Sequence, residues 1–448
     1  MEKKIFGTDG IRGLAYKYPI NEEFMNELVM ALTIFFELQT KKVLIGKDTR
    51  ESGEMIESAL SLSFQKRGFD CYILGVIPTA VIPFVIKDVK ADIGIMISAS
   101  HNPYHDNGIK IFKRNGEKLS DSEEFEIEKI ILNKKQQPIV SKSKGRKFDF
   151  TDKIELYKEN IKKIIPHGLS FHDLKIVVDC ANGSASKIAP EILSELGINL
   201  IIKSKNPNGV NINKNCGALF PKKISEMVIK NKANLGISFD GDADRLTLVD
   251  NKGKILDGDK ILAIAGKSMK KQNKLSNLGI VSTVMANIGL KEYLNKNSLK
   301  LFQCPVGDRY VVSEMKKRAV NLGGEQSGHF IFSDFSFTGD AIISALQIFI
   351  ILKMEDKSID QLLKDYVSYP QKLVNFKLKK SPIEILKNKE LQKIIENEQK
   401  NSKDNLMILL RKSGTENLLR LMVQSRSLKS TNLFINYLSS EIKEIDNK

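Results

Sequence analysis

One unit occurs three times along this chain: short apolar strands alternate with helices, and the last strand ends in an unusually polar loop. The three loops and the strands before them are Ser98–Pro103 after Ile93–Ile97, Asp240–Arg245 after Leu235–Phe239, and Glu325–His329 after Asn321–Gly324. Strands that alternate with helices predict parallel sheets, which bind ligands beyond the carboxyl ends of their strands. The repeat therefore predicts three α/β domains whose polar loops lie in equivalent places.

The last part of the chain, from about Lys372 to Lys448, departs from this pattern. It is predicted to form a strand, one helix over Pro382–Asn401, a hairpin and a final helix over Ser430–Ile442, which is an α+β arrangement. For 448 residues, three or four domains are expected, at roughly 100–200 residues each. We predict three repeated α/β domains with mixed, largely parallel sheets, followed by a C-terminal α+β domain. The predicted boundaries are 1–155 with the serine loop, 156–255 with the acidic loop, 256–370 with the third loop, and 371–448 with the hairpin.

The net charge of +16 allows two interpretations, a nucleic-acid-binding surface or a basic background for small anionic substrates. Lysines are spread along the whole chain, and there is no Trp and no basic box interleaved with aromatic residues. This distribution favours a small anionic substrate and no nucleic acid. The apolar stretch Ala341–Leu352 is too short to span a bilayer, the N-terminus shows no apolar signal region, and the four cysteines contain no CxxC pair. We therefore expect a cytoplasmic protein with no membrane partner.

The acidic loop carries Asp240, Asp242 and Asp244 at alternate positions. Alternate side chains on an extended segment point to one side, so three carboxylates would crowd together and repel one another unless a cation joins them. Oxygen ligands of this kind suit Mg²⁺. A calcium EF-hand loop is excluded, because Arg245 and Asn251 stand where Gly and Glu would be required. The remaining alternative is a solvated acidic turn.

The first polar loop carries Ser100 followed directly by His101, a pair that suggests a hydrolase. The nucleophile-elbow spacing G-x-S-x-G is absent, and adjacent side chains on an extended chain are expected to diverge. A serine that faces a metal can instead carry a phosphoryl group. A structural Ser-His turn is the alternative.

Two further polar segments suit a sugar phosphate. The loop Glu325–His329 offers a carboxylate, a hydroxyl and an imidazole, which are groups that bind sugar hydroxyls. The C-terminal hairpin is rich in donors, and arginine forks and backbone amides match phosphate oxygens. Its candidate donors are Arg411, Ser413, the amide of Gly414, Thr415 and Arg420. Taken alone, the first segment is equally consistent with a bare surface loop and the second with a surface arginine cluster.

Together these motifs resemble the α-D-phosphohexomutase superfamily along essentially the whole chain, from the segment FGTDGIRG at residues 6–13 to the Arg411 hairpin. The ISASHNP and GEQSGH loops are most similar to the bacterial branch that acts on glucosamine phosphates. Asn417 and Gln424 depart from the usual pattern of the hairpin, and neither departure removes a phosphate donor.

The resemblance implies four domains around a central cleft, in which Ser100, and not Ser98, is phosphorylated. It implies that one Mg²⁺ is held by the phosphoserine with Asp240, Asp242 and Asp244. Groups expected near the phosphoryl group or in proton transfer are Arg12, Lys110, Arg245, Lys118 and His329, with His101 as a further catalytic candidate. Glu325 and Ser327 are expected to contact the sugar, and the hairpin donors to hold the phosphate that does not react.

The implied reaction interconverts glucosamine 6-phosphate and glucosamine 1-phosphate through a bisphosphorylated sugar, which also serves as primer. Its product would feed the synthesis of UDP-N-acetylglucosamine and cell-wall precursors, and the enzyme is expected to be a monomer or homodimer. A phosphomannomutase or phosphoglucomutase with the same chemistry is the near alternative. A non-catalytic sugar-phosphate-binding protein is the distant one, against which the retention of Ser100 and the three aspartates argues.

Overall fold

The computed structural model describes residues 5–36, 40–133, 141, 143–336, 338–402, 405–412 and 418–447. Four sheets follow one another along the chain, and we name the four units after the order of these sheets. Within the described ranges, no helix combines the length and the apolar character needed to cross a bilayer.

The first unit is built on a seven-stranded mixed sheet in the order β1-β2-β6-β5-β3-β4-β7. Its elements are β1 (Phe6–Gly7), β2 (Gly10–Leu14), α1 (Glu22–Phe35), β3 (Lys42–Lys47), α2 (Gly53–Lys66), β4 (Asp70–Val76), α3 (Val81–Val89), β5 (Ile93–Ile97), β6 (Asp106–Lys113), α4 (Asp121–Leu132) and β7 (Lys147–Asp149). Because side chains alternate along a strand, Val43 and Ile45 pack with α1, α2 and α4, whereas Leu44 packs on the opposite face.

The second unit has five strands in the order β12-β11-β10-β8-β9. A 3₁₀ turn at Thr151–Lys153 leads into it. Its elements are α5 (Ile154–Ile164), β8 (Lys175–Asp179), α6 (Ala185–Glu195), β9 (Asn199–Lys203), α7 (Lys222–Asn231), β10 (Leu235–Phe239), β11 (Leu246–Asp250) and β12 (Ile255–Leu256).

The third unit has four strands in the order β14-β13-β15-β16. Its elements are α8 (Gly258–Lys271), a 3₁₀ turn (Ser276–Leu278), β13 (Gly279–Thr283), α9 (Ile288–Lys296), β14 (Lys300–Cys304), α10 (Asp308–Arg318), β15 (Leu322–Gly324), β16 (Phe330–Phe332), α11 (Ala341–Glu355) and α12 (Ile359–Leu362). The apolar stretch noted in the sequence is the buried helix α11.

The fourth unit has three antiparallel strands in the order β17-β19-β18. Its elements are β17 (Gln371–Phe376), α13 (Pro382–Leu386), α14 (Lys389–Asn401), β18 (Met407–Lys412), β19 (Leu419–Gln424) and α15 (Leu428–Asn447). The prediction of one helix over Pro382–Asn401 is wrong. The helix breaks because the side chain of Asn388 accepts from the backbone N–H groups of Glu390 and Leu391 and caps a new helix.

All three polar loops connect equivalent strands. Each follows a strand with a parallel neighbour on one side (β5, β10 and β15) and leads into an antiparallel neighbour on the other (β6, β11 and β16). The sheets are therefore mixed, as predicted, and each polar loop lies at the carboxyl end of a parallel strand.

The first three units share one hydrophobic cluster, and the fourth has its own. The shared cluster runs from Met96 and Phe112 through Phe239 to the residues of α11. The core of the fourth unit is formed by β17, β18, β19 and the helices that pack on them. Arg309 joins the third unit to the first by donating to the backbone oxygens of Gly7 and Thr8.

Candidate active site

Ser100 follows β5 and faces the acidic loop of the second unit. Its φ of +51° is left-handed rather than extended. Its hydroxyl donates to Oδ2 of Asp240 at 2.6 Å, and Nδ1 of His101 lies 3.2 Å from Oγ of Ser100. The expectation that Ser100 and His101 diverge is wrong, because it assumed an extended backbone.

Ser98 serves a different purpose from Ser100. Its hydroxyl donates to Oδ2 of Asp48 at 2.7 Å and accepts from the backbone N–H of Ser100 at 2.8 Å. Ser98 is completely buried beneath the loop. The geometry thus turns Ser100 towards the carboxylates and uses Ser98 as a support.

Two buried side chains fix the backbone of the serine loop. The guanidinium of Arg50 donates to the carbonyl of Ser100 at 3.0 Å and to that of Asn102 at 2.8 Å, and Asp48 holds its Nε at 2.9 Å. From the second unit, Nδ2 of Asn213 donates to the same two carbonyls at 2.9 and 3.1 Å. The loop is therefore clamped from both units.

The three predicted carboxylates come together in a turn rather than on an extended strand. Residues 241–243 form the turn, and Ala243 has a φ of +55°. Carboxylate oxygens of Asp240, Asp242 and Asp244 all lie within 4.8 Å of one another, and all three residues are buried. Gly241 is needed here, since a Cβ at this position would lie 2.5 Å from the carbonyl oxygen of Ser100.

The acidic cluster has the electrostatics of a cation site. Burial raises the pKa of Asp240 well above its usual range, and the charges of Asp244 and Asp242 raise it further. Among the described residues, none makes a hydrogen bond to the buried Oδ1 of Asp242. Three clustered carboxylates, one of them with an unsatisfied oxygen, beside a serine hydroxyl match the hard oxygen ligands that a divalent cation requires.

Lys110 neutralises part of this charge from the neighbouring strand β6. Its ammonium donates to Oδ2 of Asp242 and to Oδ2 of Asp244, each at 2.7 Å. Burial acts against this charge, but Asp242 and Asp244 outweigh it and raise the pKa of Lys110 well above its usual range. Lys110 therefore keeps its positive charge at the centre of the site.

Arg12 and Arg245 add two guanidinium groups close to this centre. Nη1 of Arg12 donates to the carbonyl of Ala99 at 3.2 Å, next to Ser100. Nε of Arg245 is 4.0 Å from the carboxylate of Asp244 and has no hydrogen-bond partner within the described part of the chain. Burial lowers the pKa of His101, the charges of Arg245 and Arg12 lower it further, and together they bring it to about 3. His101 is consequently neutral beside the serine.

Lys118 and His329, the two predicted acid/base groups, share one carboxylate neighbour, Asp308. Lys118 forms ion pairs with Asp9 at 2.7 Å and with Asp308, whose carboxylate is also 3.7 Å from Nε2 of His329. Burial acts against the charge of Lys118, but Asp308 and Asp9 raise its pKa. Burial likewise opposes the charge of His329, and its pKa is raised by Asp244 and Asp308.

Glu325 and Ser327, the two predicted sugar contacts, lie on a tight turn next to the acidic loop. We call this turn, residues 325–329, the sugar loop. Glu325 is buried and accepts from the backbone N–H of Gly307 at 3.1 Å, whereas Ser327 is exposed. The backbone N–H of Leu246 donates to the carbonyl of Gly328 at 2.9 Å, which ties the two loops together.

In the fourth unit, Arg411 and Arg420 are cross-strand partners on β18 and β19. Burial lowers the pKa of Arg411, the charge of Arg420 lowers it further, and Glu325 of the sugar loop raises it in turn. Two neighbouring guanidinium groups that face a sugar loop form a basis for binding an anion. Ser413, Gly414 and Thr415, also predicted there, lie outside the described residues.

Sequence reasoning missed several residues that the site brings together. Three of them, Arg50, Thr79 and Asp308, follow the parallel strands β3, β4 and β14, so the carboxyl-end rule that identified the polar loops applies to them equally. The hydroxyl of Thr79 donates to Oδ2 of Asp242 at 2.6 Å. Asp9 lies in the segment FGTDGIRG that carries the resemblance, whereas no comparable signal in the sequence identifies Asn213.

Four family models match the chain in order. They are described as phosphoglucomutase/phosphomannomutase alpha/beta/alpha domain I at residues 3–138, domain II at 155–253, domain III at 257–369, and the C-terminal domain at 373–435.

Curated relatives match over nearly the full length. A phosphoglucosamine mutase of Campylobacter jejuni is 43% identical over 433 residues, covering 95% of this chain and 96% of the relative. A phosphoglucosamine mutase of Brucella ovis is 42% identical over 448 residues, covering 98% and 99%.

Solved structures share the fold at lower identity. A phosphoglucomutase/phosphomannomutase family protein from Burkholderia thailandensis superimposes with a TM-score of 0.82 at 21% identity, covering 98% of this chain and 97% of that one. The N-acetylphosphoglucosamine mutase of Aspergillus fumigatus, solved with GlcNAc-6P and magnesium, gives a TM-score of 0.70 at 19% identity, covering 99% and 96%.

Proposed function

This chain belongs to the phosphoglucomutase/phosphomannomutase family, and on that premise we propose that it interconverts glucosamine 6-phosphate and glucosamine 1-phosphate. The observation that carries the chemistry is the hydroxyl of Ser100, which lies 2.6 Å from one carboxylate of a buried acidic triad. The choice of the amino sugar rests on the relatives at 42–43% identity, each of which is a phosphoglucosamine mutase. A preference for mannose or glucose phosphate is the alternative.

We assign Ser100 as the phosphoryl carrier. In the first half-reaction the bond between phosphorus and Oγ of phosphorylated Ser100 breaks, and a bond forms to the free hydroxyl oxygen of the sugar monophosphate. The proton of that hydroxyl passes to a base, Oγ of Ser100 takes up a proton as it leaves the phosphorus, and the products are a sugar bisphosphate and the free serine hydroxyl. After the bisphosphate reverses its orientation, Oγ of Ser100 gives up its proton and forms a bond to the other phosphorus, while the bond from that phosphorus to the sugar oxygen breaks and this oxygen takes up a proton.

The cation of this site is proposed to be Mg²⁺, one per chain, held by Asp240, Asp242, Asp244 and the phosphorylated Ser100. When bound, Mg²⁺ offsets negative charge on the oxygens of the transferring group. Lys110, Arg12 and Arg245 place positive charge around the same position, and fixed charges of this kind stabilise a phosphoryl-transfer transition state.

The two candidates for proton transfer are Lys118 of the first unit and His329 of the third, which both lie beside the carboxylate of Asp308. Both have a raised pKa, which favours the protonated form and suits them to donate a proton. Glu325 and Ser327 would orient the ring, and Arg411 and Arg420 would hold the phosphate that is not reacting.

The test is a coupled assay of the purified protein with each hexose 6-phosphate, Mg²⁺ and a sugar bisphosphate primer. The expected result is turnover with the highest kcat/KM for glucosamine phosphate. A higher value for mannose or glucose phosphate would favour the alternative substrates, and binding without turnover would favour a non-catalytic protein.

Several expectations from the sequence stay predictions. These are the domain boundaries, a cytoplasmic location, a monomeric or homodimeric state, and the absence of nucleic-acid and membrane partners.

A further inference from the structure

Glutamine side chains join the third and fourth units. Gln371 and Gln424 are cross-strand partners at one end of the fourth sheet. Oε1 of the buried Gln424 accepts from the backbone N–H of Ile288 at 2.9 Å, and its Nε2 donates to the carbonyl of Ala286 at 3.3 Å. Both polar atoms of the Gln424 amide thus attach the loop before α9 to the fourth unit. We call the contacts of Gln371 and Gln424 with the third unit the glutamine junction.

The second glutamine, Gln371, reaches the sugar loop itself. Nε2 of Gln326 donates to Oε1 of Gln371 at 3.1 Å, and Nε2 of Gln371 donates to Oε1 of Gln326 at 3.0 Å. Gln326 lies between the proposed sugar contacts Glu325 and Ser327, yet its amide is directed to the fourth unit. A reciprocal pair satisfies one donor and one acceptor of each amide and fixes the two side chains relative to each other.

The backbone around Gln326 is held firmly, so the side-chain pair has a fixed base. The backbone N–H of Gly258 donates to the carbonyl of Gln326 at 3.0 Å, and Nε2 of Gln326 also donates to the buried Asp259 at 2.9 Å. A Cβ on Gly258 would lie 2.1 Å from the carbonyl oxygen of Glu325. A displacement of the sugar loop would therefore be transmitted to Gln371 directly, through the two hydrogen bonds of the amide pair.

Strand β19 connects the glutamine junction to the arginine pair. Gln424 and Arg420 are four residues apart on this strand, so they share a face and lie roughly 13 Å apart at about 3.3 Å per residue. Their cross-strand partners lie on the two strands that flank β19: Gln371 on β17 is opposite Gln424, and Arg411 on β18 is opposite Arg420. One end of a small sheet contacts the sugar loop, and the other end carries the phosphate-binding arginines.

We propose that the Gln326–Gln371 amide pair couples the sugar loop to the orientation of the fourth unit, so that a sugar seated on the loop sets the position of Arg411 and Arg420. Both glutamines are positioning residues, because neither is placed in contact with the reacting atoms. The inference rests on the proposed function and deepens it. It explains how the same arginine pair can be positioned correctly for either orientation of the bisphosphate intermediate.

The test is a double-mutant cycle with Gln326→Met and Gln371→Met, which remove the amides while keeping an unbranched side chain of similar length. Each single variant is expected to lower kcat about 10-fold with KM changed less than about twofold, because the ligand still binds but adopts the productive geometry less often. The double variant is expected to be no slower than Gln326→Met, since the pair acts as one unit. The matched control is Gln303→Met, an exposed glutamine on β14 whose amide donates to Thr283 within the third unit, and it should behave as the wild type.

Hydrogen exchange provides a readout that does not need turnover. Glucosamine 6-phosphate should slow amide exchange in both the sugar loop and β19 of the wild type, and in Gln326→Met the protection of β19 should be lost while that of the loop remains. Single-variant effects that multiply to about 100-fold in the double variant, a change in KM alone, or unaltered protection of β19 would each overturn the coupling. If the wild type turns over only another hexose phosphate, the proposed substrate fails, and the same cycle and exchange measurements on that substrate still decide the coupling.

Discussion

The two ends of the proposed site differ in how their charged side chains are arranged and buried. Around Ser100, acids and bases alternate in a buried cluster, with Asp240 and Asp242 completely buried and Lys110 only 1% exposed. Around Arg411 and Arg420, two like charges lie opposite each other on neighbouring strands and are half-buried. The first end gathers three carboxylates beside a serine hydroxyl, an arrangement suited to a cation, whereas the second presents two positive charges suited to an anion.

This difference separates chemistry from recognition. The backbone of the serine loop is fixed from two units, so a substitution there should stop the reaction rather than weaken binding. In the proposed function the arginine pair recognises a phosphate and not the ring that carries it. Changes at this second end should therefore alter binding in both directions of the reaction.

The largest effect is expected at the reacting end. Ser100→Ala should fold normally and lose at least about three orders of magnitude in rate, as when an activated nucleophile is removed. Mass spectrometry of the wild type should find phosphate on the peptide at Ser100. Ser98→Ala is the matched control, and it should retain phosphorylation and measurable activity. An active Ser100→Ala variant with phosphate on Ser98 would refute the assignment.

The second effect concerns the acidic triad. Asp242→Asn removes one charge and nearly preserves shape, and we expect Mg²⁺ affinity and activity to fall together by about 100-fold or more. Metal titration calorimetry and the coupled assay measure the two quantities. Asp250→Asn, a buried carboxylate at the other end of β11, should leave the titration unchanged. Full activity after thorough chelation would contradict the metal site.

At the arginine pair, the loss of activity should be smaller than at Ser100 or Asp242 and similar for the two substrates. Arg420→Ala is expected to raise KM for both the 1-phosphate and the 6-phosphate and to lower kcat, because remote binding energy positions the reacting end. One charge-assisted contact corresponds to roughly 1.5–3 kcal/mol, or about one to two orders of magnitude in kcat/KM. Arg318→Ala, an exposed arginine on α10 paired with Glu314, is the control. Impairment of only one of the two substrates would show that the clamp is not shared.

The smallest expected effect is on the stability of the protein. It concerns Asp259, which lies between the two ends and accepts a hydrogen bond from Gln326 of the sugar loop. Burial raises the pKa of Asp259 from its usual value of 3.8 to about 7. The folded protein therefore holds this proton up to about pH 7 while the unfolded chain releases it near pH 4, so the contribution of Asp259 to stability falls as the pH rises through this window. Asp259→Asn should remove that fall.

We expect the free energy of unfolding of Asp259→Asn, relative to the wild type, to be higher at pH 8 than at pH 5 by about 1–3 kcal/mol. Denaturant unfolding of both proteins at the two pH values gives this quantity, and the pH 5 pair is the control. An equal difference at both pH values would show that Asp259 does not carry the proton.

The sequence was sufficient to predict the repeated units and the place of the polar loops, because apolar periodicity and the carboxyl-end rule act locally. It predicted Ser100 and the aspartates but not the shape of their backbone, since both arguments assumed an extended chain and the left-handed residues Ser100 and Ala243 violate that assumption. It could not indicate that Asn213 holds the carbonyl of Ser100, because those residues are 113 positions apart and meet only when two units pack together. The reciprocal contact of Gln326 with Gln371 is of the same kind.

The hydrophobic clusters have a consequence for how this molecule unfolds. One cluster extends through the first three units and the fourth unit has a separate core, so heat or denaturant should melt the chain in two steps. The step assigned to the fourth unit would be the one that a sugar phosphate shifts through its contact with Arg411 and Arg420, since a ligand stabilises the parts that it binds only when folded. The difference between the two melting temperatures in calorimetry would then change when a phosphate binds at the arginine pair.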